Sequence, residues 1–228
     1  MFKHRFDFDA NSNSPRSLSI SGSGIFNILK NSGDLDDFDD YVEIHTMTNI
    51  SDTSDTINIS KDEHVSKVRI CNEHLEDSGN SDKTQFMIYV PENMHFDFDL
   101  KSKSILICEV KYSKLNIISA DETVFHFKQG FGKTNIQAFD LSIGKIDNID
   151  HRLQCFASGS ANVKVSGKFI HIRARTMEEA KIETFGTCLG FYEARSYNTS
   201  FISHEGQVLG EAKRRSRDVS NISIKRCI

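Results

Sequence analysis

Two files of apolar residues recur through the second half of this chain at one period. Phe98, Ile117, Ile136, Cys155 and Ala174 follow one another at 19-residue steps. Ile105, Val124, Ile143, Val163, Ile182 and Ile202 form a second file, with steps of 19 or 20 residues. The second file trails the first by 7 residues in three pairs and by 8 in the next two, so one residue reads as inserted between Cys155 and Val163. Glycine joins late, at Gly167, Gly186 and Gly206, each four residues after a member of the second file. One period shared by apolar and turn positions means a stack of equivalent units. A single such unit cannot bury its apolar face, so each depends on its neighbours.

The local pattern agrees. "SLSIS", "YVEIH", "TINIS", "KVRIC", "QFMIYV", "HFDFDL", "SILICEV", "TNIQAF", "NVKVS" and "FIHIRA" alternate apolar and polar residues, as strands do. Only "TMEEAK" (176–181) invites a helical turn, and it is too short to hold a helix alone. The chain therefore reads as all-β: a β-solenoid (β-helix) with coils of about 19–20 residues, their inward side chains stacked coil on coil. Successive coils would lie ~4.8 Å apart, the spacing of paired strands. A β-sandwich, whose strands recur about every 8 to 12 residues, is the alternative.

The solenoid is expected over 41–210, with repeats clearest over 85–210. Residues 1–40 are rich in Ser, Asn, Gly and Asp and end in a run of acids at 34–40. They read as a flexible segment, although "SLSISGSGIFNIL" within it can add a strand. Residues 211–228, "EAKRRSRDVSNISIKRCI", read as a basic tail.

With 228 residues the chain can build a sizeable core. Its apolar runs fall far short of the ~20 residues that span a bilayer. The start, "MFKHRFDFDANSNSPR", has no apolar signal region, and Asp7 and Asp9 do not suit a mitochondrial presequence. An intracellular, cytoplasmic protein is expected, with a mitochondrial one as the alternative. Cys71, Cys108, Cys155, Cys188 and Cys227 are widely spaced and fit reduced thiols packed as small apolar side chains. The net charge of −4 gives no global pull toward nucleic acid.

In "QFMIYVPENMHFDFDL" a strand ends in Val90-Pro91 and leads into the coils. This stretch resembles the putative-adhesin family, in which such a strand introduces repeats of the form apolar-x-apolar-x-x-x-Gly. "NVKVSG" and "KIETFG" are similar to that repeat. The resemblance covers roughly residues 85 to 210 and is closest to the animal members of the family. It implies a right-handed, single-stranded β-helix with an unknown function, no catalytic residues and no cofactor.

Several motifs bear on chemistry. Gly132-Lys133-Thr134 spells the end of a phosphate-binding loop. That loop needs a glycine where Phe127 stands and a helix after the lysine, whereas "NIQAFDLSI" alternates like a strand, so no nucleotide is expected. The nine histidines lack ligand spacing and the acid run at 34–40 lacks the glycine of a calcium loop, so no metal is expected. Asp121 and Asp140 lie 19 residues apart and would stack on neighbouring coils. A carboxylate pair roughly 5 Å apart is the arrangement of a retaining glycosidase. Both flank strand ends, however, where Asp commonly makes corners, and the corner role is preferred.

A basic file is more informative. His95, Lys114, Lys133, Arg152 and His171 recur at 19-residue steps with the parity of outward positions. Such a ladder can contact a polyanion: an acidic glycan, nucleic acid or anionic lipid. The plainer alternative is that solvent and scattered acids neutralise it. "KRRSR" (213–217) reads as an extension protecting the end of the solenoid, or as a localisation or lipid patch. The chain is thus expected to be a non-enzymatic, adhesin-like β-solenoid acting as a protein-interaction scaffold. The alternatives are a polyanion-binding module using the basic file, and a carbohydrate-active enzyme centred on Asp121 and Asp140.

Overall fold

The computed structural model describes residues 2–8, 15–31, 41–47, 56–62, 67–73 and 84–225. Among them are nineteen strands and no helix. In chain order they are β1 (Phe2–Asp7), β2 (Ser17–Gly22), β3 (Ile25–Lys30), β4 (Tyr41–Met47), β5 (Thr56–Asp62), β6 (Lys67–Glu73), β7 (Gln85–Val90), β8 (Met94–Leu100), β9 (Ile105–Cys108), β10 (Tyr112–Ser119), β11 (Val124–Phe127) and β12 (Gly130–Ala138). There follow β13 (Ile143–Ala157), β14 (Asn162–Thr176), β15 (Lys181–Cys188), β16 (Tyr192–Ser196), β17 (Phe201–Val208), β18 (Ala212–Ser216) and β19 (Asn221–Lys225).

Successive coils pair through parallel strands along two tracks, which is the β-solenoid and not the β-sandwich. The first track runs β6, β2, β8, β10, β12, the later halves of β13 and β14, then β16 and β18. The second runs β7, β3, β9, β11, the earlier halves of β13 and β14, then β15, β17 and β19. Antiparallel strands close one end: β5 lies on β6, and β4 on β7 with β1 outside it. Such a cover blocks edge-to-edge pairing.

The 19-residue period is the pairing register. Phe98 sits opposite Ile117, which sits opposite Ile136, then Cys155, then Ala174. All five are buried, and Ile70, Ile20 and Ala194 extend the file at its ends. The side chains of this file shrink from Phe98 to Ala174. Gly167, Gly186 and Gly206 are also register partners, with φ of 151°, 119° and 142°. A β-carbon at Gly186 would lie 2.0 Å from the carbonyl oxygen of Gly167, so no other residue fits without displacing backbone.

The second apolar file is corrected by one residue. Ile105, Val124 and Ile143 do pair with one another, but they point outward, and Val124 and Ile143 are 40% and 55% exposed. The inward file is Leu106, Phe125, Gly144, Val163, Ile182 and Ile202. No residue is inserted between Cys155 and Val163: Gly144–Val163 and Cys155–Ala174 are both 19-residue pairs, and the two register shifts between them cancel.

The flanks differ from expectation too. β2 and β3 fall inside the segment expected to be flexible, yet each is paired on both sides: β2 between β6 and β8, β3 between β7 and β9. Leu18, Ile20, Phe26 and Ile28 are fully buried there, which anchors this coil in the stack. The acid run at 34–40 lies outside the described residues, as does Cys227. At the other end β18 and β19 form a last coil, so the basic stretch is part of the solenoid. "TMEEAK" is a tight turn: Ala180 donates to the Met177 carbonyl at 3.2 Å and Glu178 takes φ of 62°.

Candidate binding face

The outward face of the first track is built by strand alternation. Inward residues such as Leu115, Ile117 and Ser119 alternate with outward Lys114, Asn116 and Ile118, and parallel register stacks each outward position into a column. Three columns cross this face.

The first column holds the predicted basic file. His95 pairs with Lys114, Lys114 with Lys133, and Arg152 with His171. Lys133 and Arg152 are aligned by the adjacent pair Thr134–Leu153. The structure thus brings all five together. Lys114, Lys133 and Arg152 are exposed, while His95 and His171 are half-buried. No carboxylate makes an ion pair with Lys114, Lys133 or Arg152 among the described residues. Burial, and then the neighbouring Lys114, hold the His95 imidazole below its usual pKa. His171 Nδ1 accepts a hydrogen bond from the backbone N–H of Phe191, next in the column, at 3.0 Å. Between Lys133, Arg152, His171 and Phe191 lies a shallow hollow of about 320 Å³.

The other two columns were missed by the sequence reading. The second runs Asp97, Asn116, Asn135, Gln154, Arg173, Glu193 and Lys213. The third runs Asp99, Ile118, Gln137, Phe156, Arg175, Arg195 and Arg215. The face therefore changes from acidic at Asp97 and Asp99 to arginine-rich at the last coils. Its signal in the sequence was Arg175, Arg195 and Arg215 at 20-residue steps, with "KRRSR" as the last rung and not a tail.

Glu193 sits within this basic field. Arg173 Nε donates to its Oε2 at 3.0 Å and Arg195 Nε to its Oε1 at 2.8 Å. Burial alone would raise the Glu193 carboxyl, but the hydrogen bonds from Arg195 and Arg173 outweigh it and hold the group below the usual carboxylate range. Arg175 is held differently. Its guanidinium lies over the rings of Tyr197 and Phe156, 5.4 and 5.7 Å from their centroids. Phe156, Arg173, Arg175, Glu193 and Arg195 line part of a second depression of about 510 Å³.

Asp121 and Asp140 take left-handed backbone at exposed corners, with φ of 57° and 55°. Asp121 Oδ2 accepts the Ser102 N–H at 2.9 Å, and Asp140 Oδ2 accepts the Asp121 N–H at 3.4 Å. Each carboxylate ties its corner to the preceding coil, and neither lines either depression. The Gly132-Lys133-Thr134 stretch lies within β12. Gly132 packs beneath the Ser113 carbonyl, where a β-carbon would approach to 1.4 Å, and Gly130 lies against the Tyr112 ring. The two glycines therefore admit close neighbours within a strand and do not form the corner that their composition suggests. Cys108, Cys155 and Cys188 are buried free thiols, and burial pushes the Cys108 thiol up to about 12.

No family model matches the chain, and no curated protein matches it in sequence. Solved structures do match. A "putative adhesin" from Parabacteroides merdae superposes with a TM-score of 0.53 at 10% identity, over 98% of this chain and 95% of its own. A "putative adhesin" from Bacteroides fragilis gives 0.46 at 8% identity, over 99% and 96%. A "putative lipid binding protein" from Parabacteroides distasonis gives 0.47 at 11% identity, over 98% and 96%. The Parabacteroides merdae protein shares the fold, as the Val90-Pro91 resemblance implies; an affinity with animal members has no support.

Proposed function

We propose that this chain is a non-enzymatic, adhesin-like binding scaffold that takes an extended, negatively charged partner on the outward face of the first track. The observation that carries this reading is the basic column of Lys114, Lys133 and Arg152, stacked in register and without an ion pair among the described residues. Like charges repeated at each rung repel unless an anion meets them. A flat array with one cation per coil suits a long partner better than a small molecule, which prefers an enclosing cavity. The role of Asp121 and Asp140 in tying corners together supports a structural over a catalytic use of that pair.

Heparin binding across a salt series tests the reading. Lys133→Glu with Arg152→Glu is expected to weaken binding at least tenfold and flatten the salt dependence, as loss of two exposed cations should. Unchanged affinity and slope would overturn it.

A further inference from the structure

We propose that the depression around Arg175 and Gln154 is a recognition site for an acidic polysaccharide. Asn135, Gln137 and Gln154 hold its hydroxyl groups, and Arg175 holds its carboxylate or sulfate groups. This rests on the binding-face reading above and names the ligand class at a site beside the predicted basic file.

The mixture of side chains selects the ligand. Asn135 and Gln154 are register partners, and Gln137 lies in the adjoining column directly before Phe156. Three amides in one hollow of about 510 Å³ present both donors and acceptors. A sugar hydroxyl also donates and accepts, so it satisfies both ends of an amide; a phosphate or sulfate oxygen only accepts. An anion-only ligand would leave the amide carbonyls unmet, at a cost in affinity. Phe156 contributes a flat, half-buried apolar surface at the same level, suited to the C–H face of a pyranose ring.

Arg175 meets the anionic half. Arg175, Arg195 and Arg215 are stacked in register about 4.8 Å apart, with Arg195 paired to Glu193. Arg175 is positioned by Phe156 and Tyr197, and among the described residues it pairs with no carboxylate, so its fork is oriented while its charge is not neutralised. Planar guanidinium groups grip carboxylate and sulfate through two parallel hydrogen bonds.

Two other polyanions fit less well. Single-stranded nucleic acid is bound by successive aromatic rings along a basic track. Here one ring, Phe156, serves the depression, and the Phe139 ring stands edge-on to it with centroids 5.7 Å apart. An anionic membrane favours projecting apolar groups within unbroken positive charge. This site is recessed and has Glu193 among its arginines.

The test uses the full chain and calorimetric titration with heparin, polygalacturonate, neutral dextran, poly(U) and vesicles of phosphatidylcholine with phosphatidylserine. The expected result is binding of heparin or polygalacturonate and not of dextran. Gln154→Ala should weaken it severalfold. Arg175→Lys, which keeps the charge but loses the planar fork, should weaken it about tenfold. Unchanged thermal unfolding of both variants shows that the site and not the fold was altered; if either unfolds early, Gln137→Ala replaces it. Heparin binding that responds to Lys133→Glu but to neither Gln154→Ala nor Arg175→Lys overturns this site and leaves the scaffold reading standing. Absence of binding to every polyanion overturns both. Tighter binding of poly(U) or of anionic vesicles, lost in the same variants, overturns the assignment to a polysaccharide.

Discussion

The ring of Phe125 occupies the space that a side chain at Gly144 would fill: a β-carbon there would lie 2.1 Å from Phe125 Cζ. The two are register partners on neighbouring coils, so one large and one absent side chain together make one full layer of core.

Gly144→Val is therefore expected to destabilise the fold by about 1–3 kcal/mol through overpacking, and Phe125→Ala by about 3–5 kcal/mol through the cavity it opens. The double variant should lose less than the sum, because the new valine fills part of the void. Denaturant unfolding of the four proteins in the cycle measures this; strict additivity would contradict the shared-volume account.

The same pair explains where the sequence misleads. In "VFHF" both faces of the strand carry apolar residues, and Gly144 interrupts the inward file with a residue of no hydropathy. The eye then passes to Ile143, one position off, and an insertion is needed to recover Val163. The first file was legible because each member, from Phe98 to Ala174, has polar neighbours on both sides or a clear apolar step. The Lys114–Arg152 ladder was legible because a strict 19-residue step needs no knowledge of direction. The arginine column was hidden by its 20-residue steps and by reading "KRRSR" from composition instead of register. The place of β2 was not legible either, since periodicity gives the height of a coil and not the order in which coils are stacked.

His204 is fully buried with its ring 5.0 Å from that of Tyr192 and its Nδ1 3.0 Å from Thr184 Oγ1. Burial lowers its pKa, so the folded protein binds fewer protons than the unfolded chain just below the ordinary histidine value of about 6.5. Stability should accordingly be complete above that value and fall as the pH drops through it. His204→Phe should flatten part of this dependence, the remainder coming from His95, whose pKa is lowered in the same sense. Unfolding free energies between pH 5 and 8 check it; an identical slope in the variant would refute the assignment.

Asp121→Ala should cost about 1–2 kcal/mol, because it removes the acceptor for the Ser102 N–H and places alanine at φ of 57°. Asp121→Asn should cost less, since Asn tolerates left-handed backbone. Thermal unfolding separates the two. A loss of glycan hydrolysis in Asp121→Asn with unchanged stability would instead assign the residue to catalysis.

The coil made by β2 and β3 has a further consequence for how the chain comes together. These strands precede all of their partners in the chain: one side of their bed is laid by residues 67–90 and the other by residues 94–108. They must therefore wait, unsatisfied, through the synthesis of some eighty more residues, a long-range closure of the kind that slows folding. Ordinary solenoids can be shortened from an end, one repeat at a time. Here β2 and β3 are the keystone, and removing them would split the stack in the middle.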